Sequence, residues 1–137
     1  MKKILFGLFL VSIVFVFFIS EENAELFSKA QERNGLTYLI NKEKPYTGIL
    51  VTYYKNKQIK WKGNYKEGNL DGKSIWYYKN SDMSLTINYK EGKKEREYIY
   101  YCENGQIKEV RNYKAGKREG ESVSYDENGQ LKEKYNY

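Results

Sequence analysis

A tetrapeptide that returns on a fixed beat limits what this chain can fold into. Tyr65-Lys66-Glu67-Gly68, Tyr89-Lys90-Glu91-Gly92 and Tyr113-Lys114-Ala115-Gly116 recur every 24 residues, and Tyr137 falls on the same beat. Other columns keep that spacing: Asn64, Asn88, Asn112 and Asn136; Tyr53, Tyr77, Tyr101 and Tyr125; Asn56, Asn80, Asn104 and Asn128. Val51, Ile75, Ile99 and Val123 form an aliphatic column, and Ile59, Met83, Ile107 and Leu131 another. Gly48, Gly72 and Gly120 share a column that Arg96 interrupts. A period in this range is the mark of a repeat architecture, in which each unit buries its face only against its neighbours.

Each unit holds two short runs rich in Tyr, Val, Ile and Thr, separated by turn residues, which predicts a β-hairpin. The expected first strands cover 48–54, 72–78, 95–102 and 120–125, and the second strands cover 58–65, 83–89, 106–113 and 130–137. Asn104-Gly105 and Asn128-Gly129 mark hairpin tips, while Asn56-Lys57 and Asn80-Ser81 lack the turn glycine. A three-residue tip, Glu103-Asn104-Gly105 with a left-handed glycine, brings Ile99, Tyr101, Ile107 and Tyr113 onto one face. The other side of the second strand then carries Lys60, Lys62 and Asn64, or Lys108, Val110 and Asn112, and is expected to be wet. One hairpin alone is marginal, but four stacked edge to edge share a continuous apolar face. The expected fold is all-β: tandem β-hairpin repeats in an extended, twisted, antiparallel single-layer meander, after an N-terminal apolar helix.

Composition divides the chain. All six Phe lie at or before Phe27, whereas 14 of the 15 Tyr and both Trp lie from Tyr46 onward. Met1-Lys2-Lys3 precedes the uncharged run Ile4 to Ile19, so residues 1–20 read as an export signal or signal anchor. Sixteen helical residues reach about 24 Å against a hydrocarbon core of about 30 Å, short for a permanent span. Both readings export the chain, with residues 21–137 outside the cytoplasm: periplasmic, at the cell surface or membrane-anchored. Residues 21–42 read as a linker with a short helix over 21–34 and a first strand over 36–40, and residues 43–137 as the four repeats.

Chemistry is excluded more readily than it is found. There is no His, so no imidazole base, no Ser-His or Cys-His pair and no His-bearing zinc site exists. Cys102 has no second cysteine to pair with and reads as a half-buried small apolar residue. Glu95 and Glu119, with Glu97 and Glu121, form carboxylate columns, but repetition on a flat sheet builds no cleft, so neither catalysis nor a metal or other cofactor is expected. The net charge of +6 is mild and interspersed with acids, so nucleic acid is not an expected partner. The expected binding surface is the aromatic strip Tyr54, Trp76, Tyr78 and Tyr100, bordered by Lys60 and Lys62.

The pattern Gly-x-x-x-x-Tyr-Tyr-x-x-Asn-Gly-Gln-Ile-Lys, then Tyr-Lys-x-Gly-Lys-x-x-Gly, is carried best by 101–108 and 113–120, and it resembles the bacterial variant of the MORN repeat. Exported chains of this kind look like the YwqK family, classed among antitoxin components. That resemblance implies a non-catalytic module that binds a protein partner, with a toxin as the candidate. MORN repeats are also linked to membrane lipids, so attachment to a membrane surface or cell-wall polymer through the Lys-flanked aromatics is the alternative.

Overall fold

The computed structural model describes residues 24–137. The apolar helix and export signal expected over 1–20 lie outside the described residues. The repeat region is a single antiparallel meander. Its strands are β4 (Gly48–Tyr53), β5 (Ile59–Lys66), β6 (Asn69–Tyr77), β7 (Met83–Lys90), β8 (Lys93–Tyr101), β9 (Ile107–Lys114), β11 (Glu121–Tyr125) and β12 (Leu131–Asn136), paired in that order. A two-residue strand, β10 (Lys117–Arg118), returns on β9. On the first edge, β1 (Ala24–Leu26) lies parallel to β4.

Residues 24–35 fold differently from the sequence expectation, while the strand expected over 36–40 is present as Leu36–Leu39. Where a short α-helix was expected over 21–34, the described residues form β1, one 3-10 turn (Phe27–Lys29) and β2 (Ala30–Arg33). β2 pairs with β3 (Leu36–Leu39) as a separate hairpin. Four apolar residues, Ala24, Leu26, Phe27 and Ala30, are too few for an amphipathic stripe, and Asn34-Gly35, with φ of 51° and 77°, supplies a tight turn instead. The hairpin is tied to the repeats. Thr37 N donates to Gly68 O at 2.9 Å, Tyr46 N to Thr37 O at 2.8 Å, and Gly68 N to Tyr46 O at 2.8 Å.

The tip loops have three residues, as their sequence predicts. Cys102 N donates to Gln106 O at 2.8 Å, Gly105 N to Cys102 O at 2.9 Å, and Gly105 is left-handed at φ 82°. In the first three tips the asparagine closes the turn by accepting from a backbone N–H two residues on, as Asn104 Oδ1 does from Gln106 N at 3.0 Å, whereas in the fourth Asp126 Oδ1 accepts from Asn128 N and Gln130 N, both at 2.9 Å. The Asn64, Asn88 and Asn112 columns do a different job. Each carboxamide reaches across to the carbonyl nine residues ahead, on Lys73, Glu97 and Glu121, at 2.6, 3.3 and 2.8 Å.

A second irregularity decides which side chains share a face. In β5, β7, β9 and β12 one residue is skipped next to the tip: Tyr53 pairs with Ile59 but Thr52 with Trp61, Tyr77 with Met83 but Trp76 with Leu85, Tyr101 with Ile107 but Tyr100 with Glu109, and Tyr125 with Leu131 but Ser124 with Glu133. The bulge reverses the side-chain alternation beyond it. The expected gathering of Ile99, Tyr101, Ile107 and Tyr113 on one face therefore fails at its last member. Tyr113 pairs with Arg96 and stands with Tyr98, its ring 6.3 Å away, on the opposite side. The wet column is corrected too: Lys62, Thr86 and Val110 pair with Val51, Ile75 and Ile99 on the aliphatic side.

Two faces result. The tryptophan face carries Leu50, Trp61, Gly63, Ser74, Trp76, Leu85, Ile87, Tyr98 and Tyr100. The aliphatic face carries Val51, Tyr53, Ile59, Ile75, Tyr77, Thr86, Ile99, Val110 and Val123. A single layer has no second sheet to cover it, so burial comes from large side chains lying over small ones. The Trp61 ring lies across Gly63, where a Cβ would come within 2.4 Å of it, and reaches Tyr65 at 6.5 Å between ring centroids. Leu50 is fully buried, and Ser74, Ile87 and Trp61 are 0%, 5% and 9% exposed.

Candidate functional site

The six residues expected to bind a partner are split by the bulge. Tyr54, Trp76, Tyr78 and Tyr100 occupy the tryptophan face, and the Lys60 ammonium sits 5.9 Å from the Tyr54 ring centre. Lys62 pairs with Val51 and Ile75 on the aliphatic face.

Two of the tyrosines are committed inside the fold. The Tyr54 hydroxyl donates to the Tyr77 carbonyl and the Tyr78 hydroxyl to the Tyr101 carbonyl, both at 2.6 Å. Each bond links the tip of one repeat to the first strand of the next. Burial, with the Tyr100 hydroxyl close by, pushes the Tyr78 phenol up to about 12, in keeping with a hydroxyl that must keep its proton to donate. Trp76 packs against Trp61 at 6.0 Å between ring centroids, and Phe27 meets Trp61 edge-on at 5.6 Å. The strip is half-buried, and much of its aromatic surface serves the stack.

The aliphatic face offers more to a partner. Beside the tips runs an uncharged row: Tyr53, Ile59, Tyr77, Met83, Tyr101, Ile107, Tyr125 and Leu131. Tyr53, Met83, Ile107 and Leu131 are 47%, 43%, 40% and 58% exposed, as large apolar side chains seldom are in a line. Eight strands at about 4.8 Å each give that row a length of about 34 Å. Sequence reasoning places these columns on the shared apolar face, and Ile59, Tyr77, Tyr101 and Tyr125 are half-buried there. The exposure of the other four follows from the single layer, since nothing among the described residues packs across them.

The carboxylate columns also find structural partners. Glu95 accepts from Ala115 N at 2.8 Å and Asp71 from Glu91 N at 3.1 Å, stapling each return turn to the start of its own repeat. Among the described residues no three His, Cys, Asp or Glu side chains converge as metal ligands, and no helix is long and apolar enough to cross a membrane. Cys102 is half-buried and unpaired.

At the far end, the tryptophan face changes character. A depression of about 140 Å3 opens there between β9, β11 and β12, lined by Glu109, Arg111, Arg118, Ser122, Ser124 and Glu133 with Tyr135 and Tyr137. The Arg111 guanidinium donates twice to Glu109, at 2.5 and 2.6 Å, and lies 4.9 Å from the Tyr98 ring centre.

Two segments, 70–91 and 118–137, match the family model of the MORN repeat variant. They begin two repeat lengths apart, on the same beat, and cover the second and fourth hairpins. No curated protein and no solved structure matches the chain.

Proposed function

We propose that this chain is an exported, non-catalytic interaction module that holds a protein partner against the uncharged tip row of its aliphatic face. The observation that carries the reading is the line of exposed Tyr53, Met83, Ile107 and Leu131 on a periodic sheet. Apolar side chains held in line by a rigid ladder form a preorganised surface, so a partner finds little left to order on binding. Likeness to the MORN repeat variant supports an interaction role, and by the YwqK resemblance the partner is a toxin that the module restrains. The test is a pull-down from the native envelope with wild-type protein and with Met83→Asp and Ile107→Asp. A partner captured by the wild type and lost from both variants supports the surface. Recovery of nothing above background, or equal capture by all three, ends the proposal. Relief of a growth defect on co-expression with the captured protein would make the antitoxin role literal.

A second reading has its own observation. Lys60 and Lys108 sit over the Tyr54 and Tyr100 rings at 5.9 and 5.6 Å, a cation-and-aromatic row suited to an anionic membrane surface or cell-wall polymer. Sedimentation with anionic vesicles or peptidoglycan that is lost at moderate salt would favour it.

A further inference from the structure

The depression between the third and fourth hairpins stands where the repeat departs from its own chemistry. The column of Thr52, Trp76 and Tyr100 ends in Ser124, that of Leu50, Ser74 and Tyr98 ends in Ser122, and that of Trp61 and Leu85 turns to Glu109 and Glu133. Bulk is withdrawn and hydrogen-bonding groups replace it. Ser122 is 5% exposed, and its hydroxyl and that of Ser124 are buried with no hydrogen-bond partner among the described residues. A buried hydroxyl left unpaired costs stability; the Ser74 hydroxyl and the Trp61 indole N–H are unpaired as well, but they lie at the aromatic-filled joint, whereas Ser122 and Ser124 line a depression that an occupant can enter.

The charges around them state what kind. Arg111 and Arg118 are balanced by Glu109 and Glu133. An anion drawn to the guanidiniums meets the two carboxylates, and a cation drawn to the carboxylates meets the two guanidiniums. A neutral polyhydroxy ligand satisfies both sets, because each hydroxyl donates to a carboxylate and accepts from a guanidinium. Tyr135 and Tyr137, both more than half exposed, supply flat aromatic surface at the rim, suited to the C–H face of a sugar ring. The cavity of about 140 Å3 is well below the roughly 300 to 1,000 Å3 of sites for drug-sized ligands. We infer that this depression is a subsite for one neutral pyranose ring, held by Ser122, Ser124, Glu133 and the Arg111–Glu109 pair. Access requires the rim contact between Arg118 Nη1 and the Tyr137 hydroxyl, 2.6 Å long, to part.

The site lies on the tryptophan face and does not rest on docking at the aliphatic face. The test is saturation-transfer NMR on the full chain with methyl glucopyranoside and N-acetylglucosamine, and with glucuronate and glucosamine as charged controls. Binding of at least one neutral sugar is expected with Kd on the order of 1 to 10 mM, with both charged sugars at least tenfold weaker. Ser122→Val should weaken binding at least tenfold. Glu133→Gln, at an exposed side chain whose amide keeps a hydrogen-bonding group for Tyr135, should do the same and guards against a folding artefact. Met83→Asp should leave sugar binding unchanged. No transfer from either neutral sugar at roughly 20 mM, a charged sugar that binds more tightly, or binding indifferent to both Ser122→Val and Glu133→Gln overturns the inference.

Discussion

The joint between the first and second hairpins and the joint between the third and fourth are built on the same beat and held by different means. At the first, β5 and β6 pair through five residue pairs, Trp61 stands opposite Trp76, and the Tyr54 hydroxyl crosses to the Tyr77 carbonyl. At the last, the strand facing β9 is broken in two: β10 supplies Lys117 with Lys114 and Arg118 with Tyr113, and β11 supplies Val123 with Val110 and Ser124 with Glu109, four pairs in all. There the aromatic filling gives way to the Arg111–Glu109 pair, and Cys102 stands where a tyrosine would latch the next hairpin. Stability in a stacked array is a sum of unit and interface contributions, so one weak interface need not weaken its neighbours. Periodic sequence thus sets the ladder, while the identity of a few face residues decides which joints are filled by aromatic side chains and which leave a depression.

The largest effect should come from removing what fills the tight joint. Trp61→Ala takes away a side chain 9% exposed that contacts Phe27, Tyr65 and Trp76. It should cost about 3 kcal/mol or more in chemical denaturation. Tyr135→Ala, at 53% exposure in the last hairpin, should cost less than about 1 kcal/mol. Equal losses from the two would show that the ends of the stack are equally packed and break the comparison.

The tyrosine latches come next. Tyr54→Phe and Tyr78→Phe each delete a 2.6 Å bond to a neighbouring carbonyl, and each should cost about 1 kcal/mol. Cys102→Tyr should do the reverse, supplying the third hairpin with a hydroxyl for the Tyr125 carbonyl and slowing amide exchange in β11. Faster or unchanged exchange there would mean that the missing latch is not what loosens the joint. Tyr78 also sets a pH dependence. Its phenol is raised from 10.0 to about 12, so the stability it lends is intact below pH 10 and is lost as pH rises toward 12. Tyr78→Phe should flatten that part of the alkaline unfolding curve.

How much of this is legible in the sequence depends on whether a feature carries chemistry of its own. The hairpins, their order and the three-residue tips are legible because Asn, Gly and alternating Tyr, Val and Ile each have a local reason to be there. The bulge after each tip is not, because the skipped residues are Lys60, Ser84, Lys108 and Lys132, which share no turn chemistry. One unseen residue per hairpin sends Tyr65, Tyr89 and Tyr113 to the tryptophan face, separates Lys62 from Lys60, and leaves Tyr53, Met83, Ile107 and Leu131 exposed in the tip row of the aliphatic face. Val110, an aliphatic residue in a column that strict alternation leaves in water, is the one signal of it. Of the candidate site, the tyrosine strip is legible as a strip, but not its internal hydrogen bonds, which depend on where each hydroxyl ends. The depression at the last joint is legible only afterwards, as a set of departures from the repeat.

The smallest effect reverses the ranking of the two ends. The tips of the third and fourth hairpins place Gly105 and Gly129 in the left-handed region, at φ of 82° and 79°, while the first and second force Lys57 and Ser81 to φ of 68° and 72°. A side chain held there crowds its own carbonyl, a strain of about 1 to 2 kcal/mol that glycine avoids at some cost in unfolded-chain freedom. Lys57→Gly and Ser81→Gly should therefore each stabilise the fold by about 0.5 to 1 kcal/mol, whereas Gly105→Ala and Gly129→Ala should destabilise it by a similar amount. All four tips are exposed to solvent, so packing does not confuse the measurement. The well-filled end of the stack then carries the strained turns and the loosely filled end the relaxed ones. A thermal-denaturation series in which Lys57→Gly and Ser81→Gly lower stability would place the strain elsewhere in the hairpin.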